Sequence, residues 1–329
     1  MPSTFRLLTA ADVRRALAGV DLVSLMESAL AAFSARDVVQ PVRTSLYVEP
    51  ARAVLGLMPA HVPSSGALGT KLVSVFNANH ARGLPSHFAT ILLMSEETGE
   101  LRAVMDGSYI TEVRTAAVSA VAIRHLAAGP VRRLAVFGCG VQAGSHVRAI
   151  AACHPGLQDI RVWSPFDDPA AFARAMSAET GVHCEAAVDG PSAARDADVV
   201  VLATASPTPV LERGWVRSGA LVVSIGACRP DHREMDPVLV AAARLVVDSR
   251  DAALAESGDV VHGLREGLFG PEHVLGELGD VVNGRLTPRA APHDVVVFKS
   301  LGLAVEDVAA ADVAWRRAVD LGLGTIAEL

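Results

Sequence analysis

The stretch VFGCGVQAGSHV, residues 136–147, brings apolar residues into Gly138, follows with Gly140 and Ala143, and then runs on as a helix. A G-x-G-x-x-G/A turn can hold a dinucleotide when it follows a strand and opens a helix. LAVFG supplies the strand and VQAGSHVRAIAAC the helix. Gly138 then permits the tight turn, Gly140 lets a pyrophosphate approach the backbone, and Ala143 keeps the helix close to the sheet. Val141 and Gln142 open the helix, whose unpaired N–H groups and partial positive charge suit phosphates. A lone glycine motif is often just a structural turn, but here the flanking strand and helix favour the dinucleotide.

The next strand, IRVWS, ends at Ser164, where an acidic residue would grip the ribose of NAD and an arginine would admit the extra phosphate of NADP. Asp167 and Asp168 follow, and no arginine lies in the turn. Their charge repels a phosphate, which favours NAD(H) slightly over NADP(H). Asp168, just before Pro169, reads equally well as a helix cap.

A second chemical signal is compositional. Of 29 basic residues, only Lys71 and Lys299 are lysine. In a chain that uses arginine for ordinary surface charge, a lysine marks a place where a compact ammonium able to lose its proton is wanted. Codon bias with two accidental survivors is the plainer alternative. The four cysteines, Cys139, Cys153, Cys184 and Cys228, lack CxxC spacing and fit reduced thiols, so no metal site is expected. A net charge of −7 and a pI near 5.9 argue against nucleic acid or an anionic membrane as partner. No apolar run reaches bilayer length, and Arg6, Asp12, Arg14 and Arg15 interrupt the first segment, so a cytoplasmic protein is expected.

The elements that must position these groups follow from patterning. With 329 residues and 51% hydrophobic composition, the chain can bury one large core or, more readily, two. Thr9 caps a helix to about residue 18, and a second helix spans about 21–35. After Pro41, VRTSLYV, AVLGLMPAHV, LGTKLVSVF, HFATILLMS and LRAVMDG read as a β-meander with Lys71 inside one strand. A helix at about 110–127 leads to LAVFG, IRVWS, CEAAV, VVVLAT, LVVSIG, LVVDS and VVVFKS, apolar strands separated by helical segments, the mark of a parallel sheet covered on both faces. The final helix, from about 303, has no strand after it and is expected to pack back on the first domain. The predicted fold is α/β: a Rossmann-type doubly wound parallel sheet over 129–303, plus an α+β substrate and dimerisation domain built from 1–128 and 304–329.

VMDGSYITEVRTAAVSAVA, FGCGVQA, GACRPDHREMD, VDSRDAALAESGDV and VFKSLGLAVED together resemble the ornithine cyclodeaminase and mu-crystallin family over nearly the whole length. The likeness is closest to the mu-crystallin branch, which is similar in activity to ketimine reductases. It implies a homodimer whose N-terminal meander pairs across a two-fold axis, with substrate bound between meander and nucleotide domain. By position, Arg43, Lys71 and Arg114 match the family's substrate-carboxylate cluster, with Arg114 also among the cofactor contacts. Ser86, Thr90, Thr115, Thr204 and Ser300 match residues lining the nicotinamide half of the cofactor, and Glu256 an acidic residue near the substrate.

One departure separates activities. Ornithine cyclodeaminases carry an aspartate, in a Gly-Gly-Asp stretch, that deprotonates the substrate amine; this chain has Gly226-Ala227-Cys228. Cys228 cannot serve as a carboxylate base, and Asp231, the nearest acid, is either a substitute base or a loop cap. The resemblance therefore implies NAD(P)H-dependent reduction of a cyclic ketimine carboxylate, such as Δ1-pyrroline-2-carboxylate or Δ1-piperideine-2-carboxylate, to proline or pipecolate. An ammonia-releasing cyclodeaminase, an alanine-type dehydrogenase and a non-catalytic binding protein are the alternatives. Lys71 would either polarise the imine and help set its protonation, with nearby cations lowering its pKa, or serve only as a point charge for the carboxylate. His87 and His232 are secondary candidates for moving protons.

Overall fold

The computed structural model describes residues 4–329 apart from Arg52, Phe166 and the His80 side chain. The chain divides into two compact units, Met1–Arg114 with Leu303–Leu329, and Thr115–Gly302.

In the first unit, strands β1 (Thr4–Leu8), β2 (Thr44–Val48), β3 (Ala53–Val62), β4 (Ala67–Val75), β5 (His87–Met94) and β6 (Leu101–Asp106) join the last strand of the chain, Thr325–Glu328. The sheet order is Thr325–Glu328, β1, β6, β5, β4, β3, β2. β2 to β6 form the antiparallel meander anticipated from the sequence, while β1 runs parallel to β6. Buried and half-exposed residues alternate along β3 and β4, the period-two signature of a sheet with one covered face. The register aligns Met58, Lys71, Ile91 and Met105 in one row of that face, all buried. The alanine-rich helix Ala304–Asp320 packs on β3, β4 and β5, its small side chains allowing close approach. Helices Ala10–Leu17, capped by Thr9, and Leu22–Ser34, capped by Asp21, flank it.

Contrary to expectation, a strand does follow the last helix. Gly322 and Gly324 adopt left-handed φ angles of 63° and 80°, turning the chain so that Thr325–Glu328 runs antiparallel to β1. Its exposed Thr325 and Ile326 show no core-facing alternation; the strand exists through edge pairing, which local patterning does not announce.

The second unit contains β7 (Arg133–Phe137), β8 (Asp159–Trp163), β9 (His183–Ala186), β10 (Val199–Leu202), β11 (Leu221–Ser224), β12 (Arg244–Val247), β13 (Val274–Glu277) and β14 (Val296–Lys299). They form one parallel sheet, ordered β13, β12, β14, β11, β10, β7, β8, β9. All four residues of β10 and of β14 are buried, as a sheet covered on both faces requires. The chain leaves β7 for β8 on one side and returns to β10 on the other. The strand order thus reverses at β7/β10, the point where doubly wound sheets bind ligands beyond the carboxyl ends of their strands. Among the described residues, no single helix is long and apolar enough to cross a membrane.

Candidate active site

Lys71 sits mid-strand in β4, in a row otherwise made of methionine and isoleucine, and is only 2% exposed. A buried ammonium needs a counter-charge. It comes from Asp307, whose Oδ2 lies 2.5 Å from Lys71 Nζ, while Oδ1 accepts from Arg114 Nε at 3.0 Å. Arg114 Nη1 in turn reaches Glu306 Oε2 at 2.6 Å. Both acids lie in the first turn of Ala304–Asp320, where the helix dipole favours negative charge. Arg43 lies close enough to act on Lys71 as well, so three cations and two carboxylates share one electrostatic cluster.

The electrostatics make Lys71 an unusual lysine. Burial pulls its pKa down to about 8; Asp307 opposes the shift, and Arg114 and Arg43 add to it. Burial likewise holds His87 near 4, with Lys71 and Arg114 contributing, so at neutral pH this imidazole is uncharged. Asp307 moves the other way: burial raises its pKa, but Arg114 and Lys71 outweigh that and keep it ionised.

The second unit builds the glycine turn at the strand reversal. Gly138 has φ of 108°, and a Cβ there would lie 2.5 Å from Ala203 O, so glycine is required both by conformation and by the approach of the chain after β10. At Gly140, by contrast, a Cβ would meet nothing within 4 Å among the described residues, leaving room beside the start of helix Val141–Cys153, whose N-cap Gly140 has no side chain to cap it. Ala143 is fully buried. Val141 is exposed at the helix start, and Gln142 lends its carbonyl to His146 Nδ1 at 2.7 Å. Ser164, at the end of β8, donates to Asp167 Oδ2 at 2.9 Å, and Asp168 caps helix Pro169–Thr180 through the amides of Ala170 and Ala171. Strand, open turn and uncapped helix N-terminus fit a dinucleotide. Cys139, within the turn, has its thiol pushed up to about 11 by burial and by Asp167, which makes it a poor nucleophile.

Sequence comparison is decisive at this point: the ornithine cyclodeaminase/mu-crystallin family matches residues 4–321. The chain belongs to this family. It is 40% identical over 298 residues to the ketimine reductase mu-crystallin of Rattus norvegicus, covering 89% of this chain and 91% of that one. It is 32% identical over 321 residues to the Δ1-pyrroline-2-carboxylate reductase of Bacillus cereus, covering 97% and 98%. The structure of Δ1-pyrroline-2-carboxylate reductase from Thermococcus litoralis, in complex with NADH and L-proline, superposes with a TM-score of 0.94 at 32% identity, covering 98% and 99% of the two chains.

The residues matched to the family distribute as follows. Lys71 and Arg114 are in one ion-paired cluster, with Arg43, half-buried ahead of β2, close enough to act on Lys71. Ser86 lies just before β5. Thr90 pairs with Leu72 on the sheet face opposite Lys71, so the fold does not bring those two together. In the second unit, Thr115 is buried in helix Ser108–Leu126, Thr204 follows β10, Cys228 follows β11, Ser300 follows β14, and Glu256 ends helix Arg250–Glu256. Cys228 Sγ lies 3.5 Å from Ile225 O. Asp231 is exposed and held by Arg229 through two contacts of 2.9 Å, which lower its pKa and make it a weaker base. Ser300 donates to Asp248 Oδ2 at 2.9 Å, and that oxygen also takes the amides of Leu301 and Gly302.

Sequence reasoning missed Glu306, Asp307, Asp248 and Glu234, all fully buried carboxylates. A signal for the first two existed: cations placed in an apolar sheet demand partners, and the acids opening a helix that packs on that sheet were the natural candidates.

Proposed function

We propose that this protein is an NAD(P)H-dependent reductase of cyclic ketimine carboxylates, of the Δ1-pyrroline-2-carboxylate or Δ1-piperideine-2-carboxylate type, yielding proline or pipecolate. When bound, the cofactor supplies the hydride that adds to the imine carbon, itself becoming NAD(P)⁺, while the imine nitrogen gains a proton. The chain's own residues supply orientation and charge. Arg43 and the Lys71–Arg114 cluster neutralise the substrate carboxylate and fix the ring, which removes most of the entropic cost of alignment. Lys71, with a pKa of about 8, is protonated at neutral pH yet able to share its proton with the imine nitrogen.

The observation that carries the reductase reading over the cyclodeaminase is the loop after β11. It presents a thiol at Cys228 and a carboxylate at Asp231 already occupied by Arg229. A lyase must deprotonate an amine at this position, whereas a reductase receives the imine ready-made. Asp167 and Asp168 beside the end of β8 favour NADH. The open face of the first sheet exposes Leu46, Leu57 and Phe88, which supports a homodimer paired through that face.

The test is nicotinamide absorbance with NADH and NADPH against a panel of cyclic imino acids, with pyruvate plus ammonia and ornithine plus NAD as competing arms. Turnover of the imino acids is expected. Ornithine or pyruvate consumed at comparable rates would reassign the activity.

A further inference from the structure

Glu234 lies in the charged stretch RPDHREMD, yet it is completely buried and every polar atom of it is engaged. Its Oε1 accepts from Thr204 N at 2.8 Å and Thr204 Oγ1 at 2.7 Å. Its Oε2 accepts from Gly226 N at 2.8 Å, Ala227 N at 3.1 Å and Ser224 Oγ at 3.0 Å. Its backbone N–H donates to Asp259 Oδ1 at 3.0 Å, and its carbonyl accepts from Val210 N at 2.8 Å. Behind it, Lys299 Nζ donates to Ser224 Oγ at 2.9 Å and lies 3.4 Å from Asp259 Oδ2.

One carboxylate thus ties together the segments leaving two adjacent parallel strands, β10 through Thr204 and β11 through residues 226–227. The two segments are drawn so close that a Cβ on Gly226 would stand 2.1 Å from Thr204 O and 2.4 Å from Glu234 Oε1, so glycine there is a condition of the clasp. A glutamine cannot replace the acid. All five groups meeting the carboxylate act as donors, and an amide NH₂ would confront some of them with another donor.

We propose that Glu234 is a positioning residue that sets the wall for the nicotinamide half of the cofactor by locking the Thr204 segment to the 226–228 loop. The inference rests on the cofactor reading given above, in which Thr204 lines that half. None of these hydrogen bonds reaches the glycine turn after β7, where Gly138 only adjoins Ala203 and Thr204, so the adenosine and pyrophosphate half should depend on the clasp less than the nicotinamide half does.

The experiment compares two ligands that differ by the nicotinamide riboside end. NADH and ADP-ribose are titrated by calorimetry against the wild-type protein and Glu234→Gln. Loss of NADH affinity by about tenfold or more, with ADP-ribose little changed, is expected, because several hydrogen bonds to a charged group are broken at one end of the site only. Equal weakening of both ligands would mean a merely structural role, and no change in either would mean no role; each overturns the proposal. A wild-type protein that binds neither ligand removes the cofactor reading and the clasp with it. Should Glu234→Gln fail to fold, Ser224→Ala, which removes one of the five donors, should give a smaller loss in the same ligand order; an equal loss for both ligands overturns the proposal. Amide exchange in the wild-type protein adds a check, since the N–H groups of Thr204, Gly226 and Ala227 should be protected without cofactor, and exchange at open-loop rates contradicts the clasp.

Discussion

The chain's two lysines are both buried in strands, and the environment drives them in opposite directions. Lys71 in β4 meets one carboxylate, Asp307, but shares it with Arg114 and feels Arg43 as well; burial wins and its pKa falls to about 8. Lys299 in β14 suffers the same burial, yet Asp259 and Glu234 outweigh it and its pKa is raised. Desolvation is common to both, so the sign of the difference belongs to the neighbours. In one site Arg114 and Arg43 compete for the carboxylates and the proton is held loosely, as suits a group that meets a substrate carboxylate. In the other Asp259 and Glu234 both act on the lysine and fix its charge, as suits a brace. A lysine in an arginine-rich chain therefore marks two distinct needs, a proton that can leave and a compact charge that fits a tight cluster.

The contrast predicts different consequences for the same substitution. Lys71→Met should lower kcat/KM for imine reduction by about 10²–10⁴-fold, the range for removing a group that assists proton transfer. The fold should survive, because Arg114 still pairs with Asp307. Circular dichroism beside steady-state kinetics checks this, and near-normal activity would reduce Lys71 to a bystander. Lys299→Met should do the reverse, leaving Asp259 and Glu234 buried without their cation and costing about 3–5 kcal/mol of stability. Urea unfolding measures that loss, and a variant as stable as the parent would show that Lys299 is no brace.

One lysine was easier to read than the other. Lys299 stood out by the scarcity of lysine and by lying in a family motif without an assigned role, whereas Lys71 also matched the family's substrate-carboxylate cluster. The counter-charges of Lys71 did not stand out, since acids in the first turn of a helix are routinely explained by the dipole alone. Only the packing of Ala304–Asp320 across β4 shows that Glu306 and Asp307 point inward. Glu234 was hidden in the same way by a run of charged neighbours that resembles a solvated loop. The parallel sheet was legible because strands buried on both faces are continuous apolar runs. β1 and Thr325–Glu328 were not, because neither shows a core-facing alternation and each is defined by pairing with strands distant in sequence.

The gentlest test is pH. If the ammonium form of Lys71 is the working form, activity should be full below about pH 8 and fall about tenfold per unit above it. The stability contribution has the opposite sign. In the unfolded chain the same lysine keeps its proton to about 10.5, so between the two values the unfolded state binds more protons, and Lys71's contribution to stability rises with pH. Falling activity with undiminished stability across that window separates proton loss from unfolding. Asp307→Asn sharpens the assignment: with the opposing carboxylate gone, the lysine's pKa should drop further and the break should move to lower pH. Lys71→Arg supplies the control, because a guanidinium keeps its charge throughout, and whatever rate that variant retains should show no break near 8. A break that stays in place in both variants would belong to another group, and the contrast between the two lysines would then be one of structure without chemistry.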